Sequence, residues 1–246
     1  VTIDNAANNG PNATTTPNNG QNNTATTKKN TGGNTGTTAK QTTKKPTTPA
    51  EIAALYVAAN NNVKTKAKKA TLTYRNSSNY KDFVEAGGLS SVGKFLMDKY
   101  LKEEPDLNEV HTDDIAAKFP PAGTTSHLTA ADIKTAACVD KGSYYFVTIL
   151  LKPDKNPKAG YGSGSICSVI NTQDIYDAAS AYVDISNIVL EYDGVYCEAN
   201  IDKATGNLTN LYTKVPMYLG LHAHKAIIDV DAKVGLQFEE KWTVNY

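Results

Sequence analysis

The chain of 246 residues balances 25 Lys and Arg against 25 Asp and Glu, so it has no overall positive field to draw in nucleic acid or an acidic membrane surface. Apolar residues make up 40 % and never run unbroken for the roughly 18 positions of a spanning helix, so no transmembrane segment is expected. Cys138, Cys167 and Cys197 are too few for a disulfide-built scaffold and lack the C-x-x-C spacing of a zinc site, which leaves a hydrophobic core to hold the fold.

Residues 1–48 are almost entirely Asn, Thr, Gly, Pro, Lys and Ala, with Val1 and Ile3 as the larger apolar side chains. Such a stretch cannot offset its own ordering entropy, and a disordered tether is expected. Lys28, Lys29, Lys40, Lys44 and Lys45 against Asp4 make it basic, and the remainder correspondingly acidic. As a flexible coil it spans roughly 40 Å. The start at Val1, without a basic region and apolar stretch behind it, is expected to reflect a signal peptide that was removed or left off.

Order is expected from Thr48-Pro49-Ala50-Glu51, where Thr at the N-cap, Pro as first helical residue and Glu three positions on form a capping box. Ile52, Leu55, Tyr56, Ala59 and Val63 continue at helical spacing, while Asn60-Asn61-Asn62 predicts a weak second half. A second helical region is expected from about Tyr80 to Glu104, interrupted at Gly87-Gly88 and stopped by Pro105. A short third helix is expected at Asp113 to Phe119, with Thr112 as cap.

From Leu128 the apolar period changes to two. Ile133–Val139 and Tyr144–Leu151 flank Asp140-Lys141-Gly142-Ser143 and predict a hairpin. A Gly-rich loop at 159–164 leads to a short helix expected at Gln173 to Tyr182, capped by Thr172. Asp193-Gly194, between Ile185–Tyr192 and Val195–Ile201, predicts a two-residue hairpin with Leu190 opposite Cys197 and Ile188 opposite Ala199. After a turn at Ala204–Asn207, Leu211, Val215, Met217, Leu219, Leu221 and Ala223 share one face; Tyr212, Lys214, Tyr218, His222 and His224 share the other.

The last segment alternates throughout. Ile228, Val230, Ala232, Val234, Leu236, Phe238, Trp242, Val244 and Tyr246 point one way, broken only by Glu240. At roughly 3.3 Å per residue a continuous strand there is about 60 Å long, and accumulated twist must curl it. The expected fold is α+β, with N-terminal helices packed on a long, strongly curved antiparallel sheet, as one domain over 49–246. Helices of roughly 25–30 Å cover only part of such a sheet. Met217, Leu219, Leu221, Leu236 and Phe238 are therefore the candidate lining of an elongated apolar groove.

Asn79-Tyr80-Lys81-Asp82-Phe83-Val84-Glu85-Ala86-Gly87-Gly88-Leu89 and Val230-Asp231-Ala232-Lys233-Val234-Gly235-Leu236 resemble segments of a group of uncharacterised secreted lipoproteins of Gram-positive gut bacteria. The layout of helices followed by very long antiparallel strands is similar to the tubular lipid-binding fold of the bactericidal/permeability-increasing protein type. That resemblance implies lipid binding and carries over no site residues; the tether is expected to carry the domain outside the cell on the envelope.

The chemistry-bearing residues are sparse. His222-x-His224, with Asp229 or Asp231 from the next strand, could hold a metal, but two histidines on a solvent face are explained as well without one. His111 with Asp113 and Asp114 reads as helix-capping acids. Ser163 lies in Gly-Ser-Gly rather than in a G-x-S-x-G elbow, and Cys138 and Cys197 sit among apolar strand residues. Cys167 and Cys197 could pair in an exported protein. No catalytic residue, cofactor or metal is expected. The leading expectation is a non-enzymatic binding protein for a lipid or other elongated apolar ligand. The runner-up is a surface adhesion module that recognises a glycan or a protein through its tyrosines.

Overall fold

The computed structural model describes residues 44–85, 94, 97, 98, 100, 101, 103, 104, 107–180, 184–225 and 228–246. Most of the expected tether and much of the expected second helix lie outside these residues. The first helix, α1 (Pro49–Lys66), begins as its capping box requires: Thr48 Oγ1 accepts from the Glu51 N–H at 3.2 Å, and the Glu51 carboxylate accepts from the Thr48 N–H at 3.0 Å.

The asparagine run does not weaken α1. Asn60 Nδ2 donates to the Pro120 carbonyl at 3.1 Å, Asn61 exchanges two bonds with the Ser126 backbone at 2.8 and 3.0 Å, and Lys64 Nζ donates to the carbonyls of Phe119 and Pro121. Poor intrinsic helix formers are thus retained because their amides satisfy the polar backbone of a loop docked on the helix.

The strands are β1 (Lys69–Glu85), β2 (Glu103–Glu104), β3 (Glu109–His111), β4 (Ile133–Asp140), β5 (Tyr144–Leu151), β6 (Asp154–Lys155), β7 (Asp184–Tyr192), β8 (Tyr196–Asp202), β9 (Leu208–Lys225) and β10 (Ile228–Asn245). Among the described residues they form one antiparallel sheet, in the order β2-β1-β10-β9-β8-β5-β4, with β3 beside β1, and β7 between β9 and β6. The β9–β10 ribbon runs from Thr243↔Asn210 to Ile228↔Lys225 without a register shift.

The expected Asp193-Gly194 hairpin is not formed. β7 and β8 lie end to end along the same edge of β9, with Tyr192 opposite Met217 and Tyr196 opposite Lys214. β6 and β5 lie end to end beside them in turn. The reason is on the facing strand. Asp193 N–H donates to the Pro216 carbonyl at 2.8 Å, so the N and C=O edge of Pro216 faces the break. Proline has no N–H to give a continuous partner there, and the interruption with its positive-φ Gly194 falls where the ladder offers a carbonyl but no donor.

Tyr80 to Glu85 likewise belong to β1 rather than to a helix. Val84 and Glu85 pair with Val234 and Lys233, covering an edge of β10 that would otherwise expose unpaired backbone groups. Lys94, Met97, Asp98 and Tyr100 are helical, as expected for that part of the region. The β4–β5 hairpin forms as expected, with Gly142 at φ 85°. The short third helix is shorter than expected, α2 (Ile115–Lys118), with Asp114 at its N-cap. The next is α3 (Thr172–Ala179), capped by Asn171, whose side chain accepts from the Gln173 N–H, rather than by Thr172.

The inward face of the sheet is layered in cross-strand rows. One row runs Leu72, Trp242, Leu211, Ala199 and Val147 across five strands, and Trp242 is 3 % exposed. Helix α1 packs against β4, β8 and β9 through Ile52, Tyr56, Ala59 and Val63. All three cysteines are buried and free, so Cys167 and Cys197 form no disulfide.

Candidate functional site

A cleft of about 280 Å³ opens on the inward face where the cover of the sheet is incomplete. Its floor is Val215 and Met217 from β9 and Phe238 from β10, residues that alternate inward on adjacent strands. Ser77 of β1, opposite Phe238, forms one wall. Tyr192, opposite Met217, and Ile170 form the other. Tyr100 closes one side, edge-on to the Phe238 ring at 6.4 Å between centroids.

One row of the floor is polar. Glu240 is the single break in the β10 alternation, and its position explains the charge: Arg75 Nε donates to Oε1 at 3.3 Å and Trp242 Nε1 donates to Oε2 at 3.0 Å. Arg75 also approaches Glu109 at 3.7 Å. Thr213 completes the row beside Glu240. The cleft is therefore an apolar chamber with a hydrogen-bonded ion pair at one end.

Burial holds the thiol and two tyrosine hydroxyls of its lining neutral. Burial pushes the Cys167 thiol well above its usual range, and the thiol donates to the Ser163 carbonyl at 3.3 Å. Burial also raises Tyr192, whose hydroxyl accepts from the Ile170 N–H, and pushes Tyr100 up to about 12. A thiol in this state is a small apolar wall rather than a nucleophile.

The structure distributes the five predicted lining residues unevenly. Met217 and Phe238 line the cleft. Leu219, Leu221 and Leu236 share their face but are fully buried within the fold, and do not border the cleft. Sequence reasoning missed Arg75, Ser77, Tyr100, Ile170 and Tyr192. The alternation of Ala70 and Leu72 at the start of β1 points to Tyr74 and Asn76 instead; the register shift between Leu72 and Tyr74 is what turns Arg75 and Ser77 inward.

Other candidates resolve into local pairs. His222 Nδ1 meets Asp231 at 2.5 Å, and His224 pairs with Asp229, one strand across in each case. Among the described residues no three His, Cys, Asp or Glu side chains are placed to hold a metal. His111 is buried between Asp114 at 2.9 Å and Glu109 at 3.2 Å. Ser163 sits in a 3-10 turn whose backbone N–H donates to Asp154, and a Cβ on Gly164 would lie 2.5 Å from the Lys158 carbonyl. That glycine serves close backbone packing rather than a phosphate. No protein-family model, curated protein or solved structure matches this chain.

Proposed function

We propose that the protein is a non-enzymatic binding protein whose cleft takes one acyl chain or another slender apolar ligand, its polar end at the Arg75–Glu240 pair. The observation that carries this reading is the apolar chamber of about 280 Å³ ending in a charged, hydrogen-bonded rim. Small-molecule pockets run from about 300 to 1,000 Å³, so this one suits a single thin ligand better than a two-chain lipid. In this reading the long strands curl around their helical cover as in a lipid-binding tube, and the Asn/Thr-rich segment tethers the domain outside the cell.

At about 0.8 kcal/mol per buried methylene, six to ten methylenes supply roughly 5–8 kcal/mol before association costs, which places affinity in the micromolar range or weaker. The test is a fluorescent fatty-acid titration, with Ser77→Phe as the variant that fills the chamber. Saturable binding by the wild type, lost in a Ser77→Phe protein of unchanged circular dichroism, supports the reading. Absence of wild-type binding, or equal binding by the filled variant, removes it.

A further inference from the structure

The polar end of the cleft holds more than its ion pair. Ser77 and Thr213 line the cleft at 6 % and 2 % exposure, and neither hydroxyl bonds to any of the described residues. Unlike the sealed hydroxyls of Ser126 and Ser163, both still touch open space, and the space they line is the cleft. A buried hydroxyl without a partner costs stability, and one that opens on a cleft finds its partner in what occupies it.

Register gathers these groups around one carboxylate. Thr213 lies opposite Glu240 on one side and Arg75 on the other, and Ser77 follows two residues after Arg75 on the same inward face. Cβ atoms are about 5 Å apart in opposite pairs and roughly 7–8 Å apart on the diagonal, so Ser77, Thr213 and Glu240 are within reach of one small head group. Glu240 accepts one bond on each oxygen, from Arg75 and from Trp242, and its side chain is 28 % exposed. A carboxylate has about four acceptor positions, so capacity is left on both oxygens.

The balance of charge at this end is negative. Arg75 bonds Glu240 and lies 3.7 Å from Glu109, and behind Glu109 stand His111 and Asp114. One guanidinium thus stands against three carboxylates, and a charge on His111 still leaves one of them uncompensated. No lysine and no second arginine line the cleft among the described residues. A carboxylate head adds a further negative charge and finds the guanidinium already shared. A protonated amine brings the missing positive charge, and its three N–H donors match the Ser77 hydroxyl, the Thr213 hydroxyl and Glu240.

We infer that the cleft selects a slender primary alkylamine in its protonated form. The chain lies over Val215, Met217 and Phe238, and the ammonium is held by Ser77, Thr213 and Glu240. The inference rests on the apolar-ligand reading above and names the head group that reading leaves open. An alcohol of equal chain length lacks the charge, a carboxylate meets repulsion, and a trimethylammonium keeps the charge but has no N–H to give.

The test is titration calorimetry of the whole chain at neutral pH with decylamine, decanol, decanoate and decyltrimethylammonium. Decylamine is expected to bind about tenfold more tightly than decanoate, with the alcohol and the trimethyl compound between them. Thr213→Val, close in shape but without the hydroxyl, and Ser77→Ala are each expected to weaken decylamine about fivefold. The inference is overturned if decanoate or the trimethyl compound binds as tightly as decylamine, or if both variants bind decylamine like wild type. Saturable decanoate binding without the preference leaves the apolar-ligand reading standing and overturns this inference alone, whereas failure of all four compounds removes both. Wild-type thermal unfolding certifies the variants, and if neither is folded the ranking of head groups on the wild type decides.

Discussion

The two faces of the β9–β10 ribbon are built from alternate residues of the same strands, yet they are held by different forces. Inward, Met217, Leu219, Leu221, Val234 and Leu236 lie beneath the helices and loops with almost no exposed surface, and the one charged side chain, Glu240, is bonded from two directions. Outward, Tyr212, Lys214, Tyr218, Lys233 and Glu239 remain partly in water and pair across strands. Burial area governs the first face and local cross-strand pairing the second, so equal substitutions on the two faces have unequal consequences.

The largest expected effect is on the inward face. Trp242→Ala removes a buried ring that packs edge-on against Phe119 and strips one donor from Glu240, and is expected to cost about 3–5 kcal/mol in urea unfolding. Tyr212→Ala, one strand away on the outward face, is expected to cost no more than about 1 kcal/mol. Similar costs for the two would erase the distinction between the faces. Next in size is Asn60→Ala beneath the inward layer, which leaves the Pro120 carbonyl without its donor and is expected to cost about 1–3 kcal/mol by the same measurement. A loss confined to a few tenths would mean that the 119–126 loop is held by apolar contact alone.

The smallest effect belongs to the far outward end of the ribbon. The Asp231 carboxylate bonded to His222 raises the imidazole above its ordinary 6.5. Because the folded-state value is the higher one, the stabilisation is complete below about pH 6.5 and is lost as pH rises through that folded value. The exposed position keeps it small. An NMR titration is expected to show the His222 midpoint fall in Asp231→Asn, and an unchanged midpoint would show that the cross-strand pair does not form in solution.

Two turn signals show how far local reading reaches. Asp140-Lys141-Gly142-Ser143 and Asp193-Gly194 both place a positive-φ glycine between apolar runs, and only the first makes a hairpin. At the first, β4 and β5 pair with each other and β8 extends the sheet beyond β5. At the second, each flanking strand finds β9 instead, a partner long enough to take both, with Pro216 where the two meet. The apolar alternation near Asp193 fits both pairings equally, since parity is preserved in either. The same ambiguity hid the cleft: alternation identified Met217 and Phe238 as inward, but which inward residues border it depends on segments far away in the chain.

Local chemistry by itself determined the capping box of α1, the phase of β9 and β10, the inward position of Trp242 and the antiparallel α+β class. These features depend on neighbours within a few residues or on a strict period of two, and no distant contact can reverse the phase without exposing a whole apolar face. The tertiary structure alone decided the strand partners of β7 and β8, the extended state of Tyr80–Glu85 and the persistence of α1 through its asparagines. It also decided the meeting of Arg75 with Glu240. In each case backbone or polar groups distant in sequence had to be satisfied, and the group that satisfies them is identifiable only when the chain is folded.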